Sequence, residues 1–167
     1  MKILNKIGWW SNAYITQFFK KKMVKTLTEI ALQEYGTKEI AGSKHNMDIV
    51  NYAKESGFEW VNDDETPWCS IFINWVAFKA CLERTKSAVA RSWLKVGVPV
   101  LSPETGDVVV FKRGNSTWQG HVGIYISEAE NSQINVLGGN QSNAVKISSY
   151  DKKDLLGYRR LRPLQDV

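Results

Sequence analysis

The stretch TPWCSIFINWVAFKACL, residues 66–82, predicts a buried helix with a cysteine in its first turn. Thr66 is a good N-cap and Pro67 suits the first helical position, so the pattern places Cys69 third in a helix over 66 to about 84. Unpaired backbone N–H groups and the positive end of the helix dipole favour a thiolate there. Cys69 is therefore the predicted nucleophile, expected to react with iodoacetamide well below about pH 8.

The second cysteine, Cys81, lies twelve residues further along the same predicted helix, about 18 Å away. A disulfide needs Cα atoms within roughly 7 Å, so both thiols are predicted to be free, which fits synthesis in a reducing compartment. Its position among apolar residues predicts that Cys81 is an inert core thiol. Two cysteines so placed on one helix cannot hold one zinc ion, and no metal site is predicted.

Two polar residues in the strand-like second half complete a candidate site. His121 opens the predicted strand HVGIYIS and is the candidate general base. If 121–127 and 134–140 form an antiparallel hairpin, its far ends meet and Asn140 lies beside His121, where an amide can orient the imidazole. Taken singly, Cys69 and His121 are more often structural than catalytic, and Asn140 is more often a turn residue after two glycines.

The net charge of +5 originates in the N-terminal segment. Residues 1–25 hold six lysines and no acid, which leaves 16 basic and 17 acidic residues in the remainder. The domain itself therefore lacks the excess of basic charge that nucleic-acid binding requires. No run of 18 apolar residues indicates a transmembrane helix.

Residues 1–22 are predicted to be a basic amphipathic extension to a single domain over 23–167. Its apolar residues fall at helical spacing with lysines at both ends, as in helices that lie on a membrane or dock on a partner. The alternatives are an extension packed on its own domain, and a true start at Met23. The interrupted apolar stretch and the lack of a clear cleavage site argue against a secretory signal.

Helical patterns come first and strand patterns follow, which predicts an α+β fold with an antiparallel sheet. The first predicted helix ends near Gly36, the second runs from Asn46 to Gly57, and two more cover 66 to about 84 and 87–95. The predicted strands cover 106–113, 120–127, 134–141, 144–150 and 155–161.

The motifs TPWCSIFINWV, GDVVVFKR, GHVGIYIS and VLGGNQSNAVKIS, in that order, resemble the NlpC/P60 and CHAP cysteine peptidases. More narrowly, they resemble small bacterial and phage-borne proteins with ETPWC and LGGNQS motifs. The resemblance covers about residues 25–160. It implies a papain-like core, with the nucleophile helix packed on an antiparallel sheet, and a site of Cys69, His121 and Asn140. Many CHAP domains have a glutamate two positions before that asparagine, where this chain has Gly138.

The resemblance implies hydrolysis of peptidoglycan amide bonds without a cofactor, by a stem-peptide endopeptidase or an N-acetylmuramoyl-L-alanine amidase. The implied roles are a lysin, an effector or a wall-remodelling enzyme, made in the bacterial cytoplasm and acting at the periplasm or cell wall. Peptidoglycan peptides are the implied partners, and an immunity or delivery protein is a further candidate. Trp68, Asp64 and Glu65 are candidate substrate-binding residues, with a structural role as the alternative for the two acids. The alternative function is a non-catalytic module that binds wall peptides or a partner on the same fold.

Overall fold

A computed structural model describes residues 25–164 of the chain. The α-helices there are α1 (Leu27–Gln33), α2 (Met47–Ser56) and α3 (Cys69–Lys79), and the 3₁₀ helices are Ala90–Lys95 and Lys152–Asp154. The strands are β1 (Val98–Val100), β2 (Val108–Lys112), β3 (Gly120–Ala129), β4 (Gln133–Gly138), β5 (Lys146–Asp151) and β6 (Leu155–Arg160). The extension 1–22 lies outside the described residues. Within the described range, no helix has the length and apolarity needed to cross a membrane.

The strands form one antiparallel sheet in the order β1-β6-β2-β3-β4-β5. This architecture confirms the predicted α+β class, and the pairing of β3 with β4 confirms the predicted hairpin. Strand β1 was not predicted, because three residues are too few to show an alternating pattern. It pairs only with β6, and its Pro99 is acceptable because an edge strand need not donate every N–H to a ladder.

Helix α3 is the centre of the core, and every residue from Cys69 to Ala77 is buried. It packs against α1 and α2 and also against β3 and β4, so its residues 69–77 have no side exposed to solvent and are apolar on every side apart from Ser70 and Asn74. Apolar side chains from β2, β3 and β4 complete this core. Each large apolar side chain buried here contributes about 1.5–3 kcal/mol, so the position of the cysteine at the start of α3 is held firmly.

The beginning of α3 differs from the prediction. Trp68 is the N-cap, without a side-chain hydrogen bond, and Cys69 is the first helical residue. The reason lies upstream, where the Asp63 carboxylate accepts hydrogen bonds from the backbone N–H groups of Glu65, at 3.0 Å, and Thr66, at 2.6 Å. This turn holds Thr66 outside the helix, and the prediction of Thr66 as N-cap is wrong.

The end of α3 also differs from the prediction. Cys81 adopts the left-handed conformation, with φ of 56°, and the Leu82 N–H donates to the Ala77 carbonyl at 2.9 Å. A second bond from the Cys81 N–H to the Phe78 carbonyl completes a Schellman motif, which stops the helix. Cys81 is consequently exposed, and its prediction as a buried core thiol is wrong. Both cysteines are free, as predicted.

Candidate active site

The predicted nucleophile and base line one cavity of about 330 Å³, here called the Cys69 cavity. Its walls come from the loop before α3, the residues around the start of the first 3₁₀ helix, the β2–β3 loop and the segment after β4. Cys69, His121 and Asn140 all contribute to its lining. The structure therefore brings together three residues that are up to 71 positions apart in the sequence. No group of three or more His, Cys, Asp or Glu side chains in residues 25–164 is arranged to hold a metal ion.

The start of α3 is positioned by close packing against the end of β4. A Cβ placed on Gly139 would lie 2.6 Å from the Cε3 of the Trp68 ring and 2.7 Å from the Cβ of Phe72. Only glycine leaves room for the helix at this point. The contact fixes the distance between the first turn of α3, which carries Cys69, and the segment that continues from β4.

His121 is oriented by Gln141, a residue that the sequence did not single out. Its Nε2 lies 3.1 Å from the Gln141 Oε1, and both side chains are buried. The amide nitrogen of Gln141 donates to the carbonyl of Val136 at 3.1 Å and to that of Lys146. Because carbonyls only accept hydrogen bonds, these two bonds fix the amide so that its oxygen faces the imidazole. The His121 Nε2 must then carry the proton, which leaves Nδ1 as the basic nitrogen.

Asn140 occupies the neighbouring position but makes a different contribution. The β3–β4 ladder ends at Ile124 and Leu137, so His121 and Asn140 lie just beyond it. Asn140 has a left-handed backbone, with φ of 54°, and lines the Cys69 cavity. Within the described part of the chain, the side chain hydrogen-bonded to His121 is that of Gln141. The hydrogen bond expected from Asn140 is thus made by the residue that follows it.

Tyr150 on β5 forms the other support of the imidazole. Its ring stacks on that of His121, with centroids 4.8 Å apart and planes 11° apart, and also on that of Phe111, at 4.9 Å. Burial raises the pKa of Tyr150 to about 12, and the charge of a Cys69 thiolate contributes in the same direction. The motif AVKISSY gives no sign of this role, since an aromatic residue on a strand is commonly only a packing residue.

Burial favours the neutral form of both candidate catalytic groups. It raises the pKa of the Cys69 thiol, although backbone hydrogen bonds from Val122 and Ser70 and the charge of Arg113 act in the opposite direction. Burial also lowers the pKa of His121 to about 4. The sequence predicted a lowered thiol pKa from the helix N-terminus alone. With an exposed fraction of only 8% for Cys69, desolvation is the larger effect.

The three candidate substrate-binding residues lie elsewhere. Trp68 is 1% exposed, and its indole N–H donates to Glu39 at 2.7 Å, so the prediction that it contacts substrate conflicts with its place in the core. Asp64 is fully buried, and its carboxylate accepts from the backbone N–H groups of Ile40 and Asn46 at 2.9 Å. These bonds support the structural role, which was the alternative to substrate binding for Asp64.

Glu65 is exposed, but it does not line the Cys69 cavity. Aromatic residues do line it: Trp60 and Trp118 are 63% and 65% exposed. The sequence offered no signal for them, because a tryptophan in a loop has no periodic pattern to mark its surroundings.

Comparisons with known proteins give one family match and one structural likeness. Residues 61–140 match the CHAP domain family, a segment that includes Cys69, His121 and Asn140 and ends one residue before Gln141. No curated protein matches the chain. A solved structure described as similar to lipoprotein, NLP/P60 family, from Staphylococcus aureus subsp. aureus Mu50 is 18% identical, with a TM-score of 0.43. The alignment covers 89% of this chain but about half, 47%, of that one, and a likeness at this level carries nothing about activity. The CHAP match confirms the predicted resemblance of residues 61–140 to CHAP domains.

Proposed function

We propose that this protein is a cysteine-dependent amide hydrolase that acts on peptidoglycan. The observation that carries the proposal is the shared cavity of Cys69 and His121, in which Gln141 fixes the imidazole as the Nε2–H tautomer. A pure binding module has no need of a thiol beside a histidine whose basic nitrogen is kept free. CHAP domains are usually hydrolases of the peptidoglycan type, which supplies the substrate class.

The reaction begins with proton transfer from the Cys69 thiol to His121 Nδ1 as the sulfur attacks the carbonyl carbon of the amide. The tetrahedral intermediate collapses, the C–N bond breaks, and the leaving amine takes the proton from Nδ1. Water then gives a proton to Nδ1 and attacks the thioester. The carboxylic acid leaves, and the proton returns to the sulfur. Every proton is accounted for by one thiol, one imidazole and one water.

The developing oxyanion is stabilised at the start of α3. Cys69 is the first helical residue, so its own backbone N–H is among those without a partner inside the helix. Donors of this kind, aimed at a tetrahedral oxyanion, are each worth about 10²–10³-fold in rate. The helix N-terminus thus acts on the intermediate more than on the resting thiol, whose pKa is dominated by burial.

The test uses isolated peptidoglycan sacculi from Gram-negative and Gram-positive cells. Purified protein and a Cys69→Ala variant are incubated with each, and soluble fragments are analysed by mass spectrometry. New termini that appear only with the intact thiol support the proposal, and they distinguish an endopeptidase from an N-acetylmuramoyl-L-alanine amidase. Intact sacculi with both proteins contradict the proposal.

A Cys81→Ser variant is the matched control for thiol loss. Cys81 is exposed at the far end of α3, and the described cavity around Cys69 does not include it. The proposal expects this variant to release the same fragments as the unmodified protein. A loss of activity in Cys81→Ser that equals the loss in Cys69→Ala would remove the assignment of the nucleophile.

A further inference from the structure

Arg113 is the charged residue among those that line the Cys69 cavity. It follows β2, is exposed, and makes no salt bridge or side-chain hydrogen bond with any residue in the range 25–164. Arg91, Arg84 and Arg160 behave differently, since each donates to a carbonyl or a carboxylate. No acidic side chain in the described part of the chain lines the cavity. The planar donors of Arg113 are therefore available to a ligand, and the local charge favours an anion.

Arg113 also lies close to the reacting groups, because it lines the same cavity of about 330 Å³ as Cys69 and His121. Its charge acts on the thiol of Cys69, on the imidazole of His121 and on the phenol of Tyr150. An anion held by the guanidinium would consequently lie beside the amide under attack and not at a remote subsite.

The adjoining wall of the cavity is an aromatic surface held in place before any ligand arrives. Trp118 lies on the β2–β3 loop with 65% of its surface exposed. Arg91 anchors this loop by donating to the carbonyls of Ser116, Thr117 and Gln119, the last two at 2.7 Å. Keeping a large indole in water on an anchored loop costs hydrophobic free energy, which a ligand packed against it would recover.

We propose that the Cys69 cavity selects a peptide that carries a free carboxylate next to the scissile amide, with Arg113 binding the carboxylate and Trp118 packing against the neighbouring part of the peptide. This inference rests on the proposed function and narrows its substrate to anionic peptides. Amidation of that carboxylate removes the charge and one acceptor, and an Arg–carboxylate pair in a partly desolvated cleft is worth about tenfold or more in affinity.

Binding is measured by calorimetry with the Cys69→Ala protein, so that hydrolysis does not interfere. The probes are a stem peptide with a free D-glutamyl α-carboxylate and the same peptide with that group amidated. The acid form is expected to bind at least about tenfold more tightly. Adding Arg113→Gln is expected to remove this preference by lowering the affinity for the acid peptide alone. Arg113→Lys is expected to keep part of the preference, because the positive charge remains although the planar guanidinium is lost.

The matched control is Lys112→Gln, which removes one positive charge at the preceding position. Lys112 lies outside the cavity and pairs at 3.6 Å with Asp154, so its replacement leaves the preference intact. Three outcomes overturn the inference: equal affinity for the two peptides, no binding of either peptide, or an equal loss of affinity for both peptides in Arg113→Gln. These outcomes are independent of the sacculus digestion, so the inference and the proposed function can fail separately.

Kinetics with the active protein distinguish binding from activation of the thiol. If Arg113 binds the substrate carboxylate, Arg113→Gln raises KM for the acid peptide about tenfold and leaves kcat within about twofold. A fall in kcat with KM unchanged would assign Arg113 to tuning the thiol and would overturn the substrate assignment.

Discussion

Replacing Gln141 by methionine is expected to lower both the stability of the fold and the rate of the proposed reaction. Methionine has a similar length but cannot make the three hydrogen bonds of the amide, to His121, Val136 and Lys146. Each contributes about 0.5–1.5 kcal/mol net, so the free energy of unfolding should fall by about 2–4 kcal/mol. For a chain of this size, that corresponds to a loss of roughly 5–15 °C in Tm.

The effect on rate has a separate cause. Without Gln141, nothing fixes the proton of His121 on Nε2, and the imidazole also populates the tautomer with the proton on Nδ1, which cannot accept from the thiol. Loss of tautomer control and orientation is expected to reduce kcat by about 10²–10⁴-fold in the fraction that remains folded. Nitrogen NMR of the His121 ring checks the cause directly, because the two tautomers differ in the shifts of their ring nitrogens.

The matched control is Asn140→Ala, at the neighbouring amide. Asn140 lines the cavity but is not the side chain hydrogen-bonded to His121 in the described structure, so its removal should leave the tautomer unchanged and cost less than about tenfold in kcat. The reasoning is refuted if Asn140→Ala abolishes activity while Gln141→Met keeps both the rate and the Nε2–H tautomer.

Four further outcomes are expected. Because His121 must be neutral to accept a proton and its pKa is about 4, kcat/KM should hold down to about pH 5 and fall below pH 4; an acid limb near pH 6.5 would contradict its burial. The unfolded histidine binds its proton near pH 6.5, so His121 makes stability decrease as pH falls from there towards 4, which a chemical-denaturation series with His121→Gln as reference measures. In iodoacetamide labelling followed by mass spectrometry, exposed Cys81 should react before buried Cys69, and faster labelling of Cys69 at pH 7 would show that desolvation does not dominate. Gly139→Ala should cost about 1–3 kcal/mol through the clash with the indole at the start of α3, whereas Gly138→Ala, whose Cβ meets no atom closer than 3.4 Å, should be nearly neutral; equal losses would refute the packing argument.

The parts of this fold that follow from local pattern could be predicted. The apolar run after Cys69 is long enough to indicate a buried helix, and alternating β-branched residues around His121 indicate a strand. The far ends of a hairpin must meet, so the sequence alone predicts that Asn140 lies near the histidine. Strand β3 does pair with β4, and both residues line the Cys69 cavity. These inferences depend only on periodicity and chain connectivity.

The ends of α3 could not be predicted, because each depends on a competing interaction. Thr66 is a favourable capping residue, but the turn held by the Asp63 carboxylate keeps it outside the helix. At the other end, Cys81 takes a left-handed conformation that nothing in its chemistry favours, and the helix stops early. Propensity gives an average preference, while the actual boundary is set by which hydrogen bonds are satisfied.

Gln141 was missed for a related reason. Asn140, Ser142 and Asn143 all have positive φ, so the simple alternation of side chains along a strand ends at β4. The hairpin register therefore predicts which segment lies beside His121, but it does not predict whether the Asn140 or the Gln141 side chain contacts the imidazole. The choice is made by the carbonyls of Val136 and Lys146, which only the folded sheet brings within reach of the side chain.

In the proposed reaction, the burial of Cys69 determines how the nucleophile is generated. A helix N-terminus by itself favours a thiolate, but a raised thiol pKa beside a histidine pKa of about 4 favours the neutral pair. The thiolate is then formed as the sulfur attacks, when the negative charge passes to an oxygen at the start of α3. An anion bound to Arg113 would offset a positive charge that disfavours the imidazolium but also favours the thiolate, so its two effects on the proton transfer oppose each other. This balance agrees with the expectation that Arg113→Gln changes KM far more than kcat.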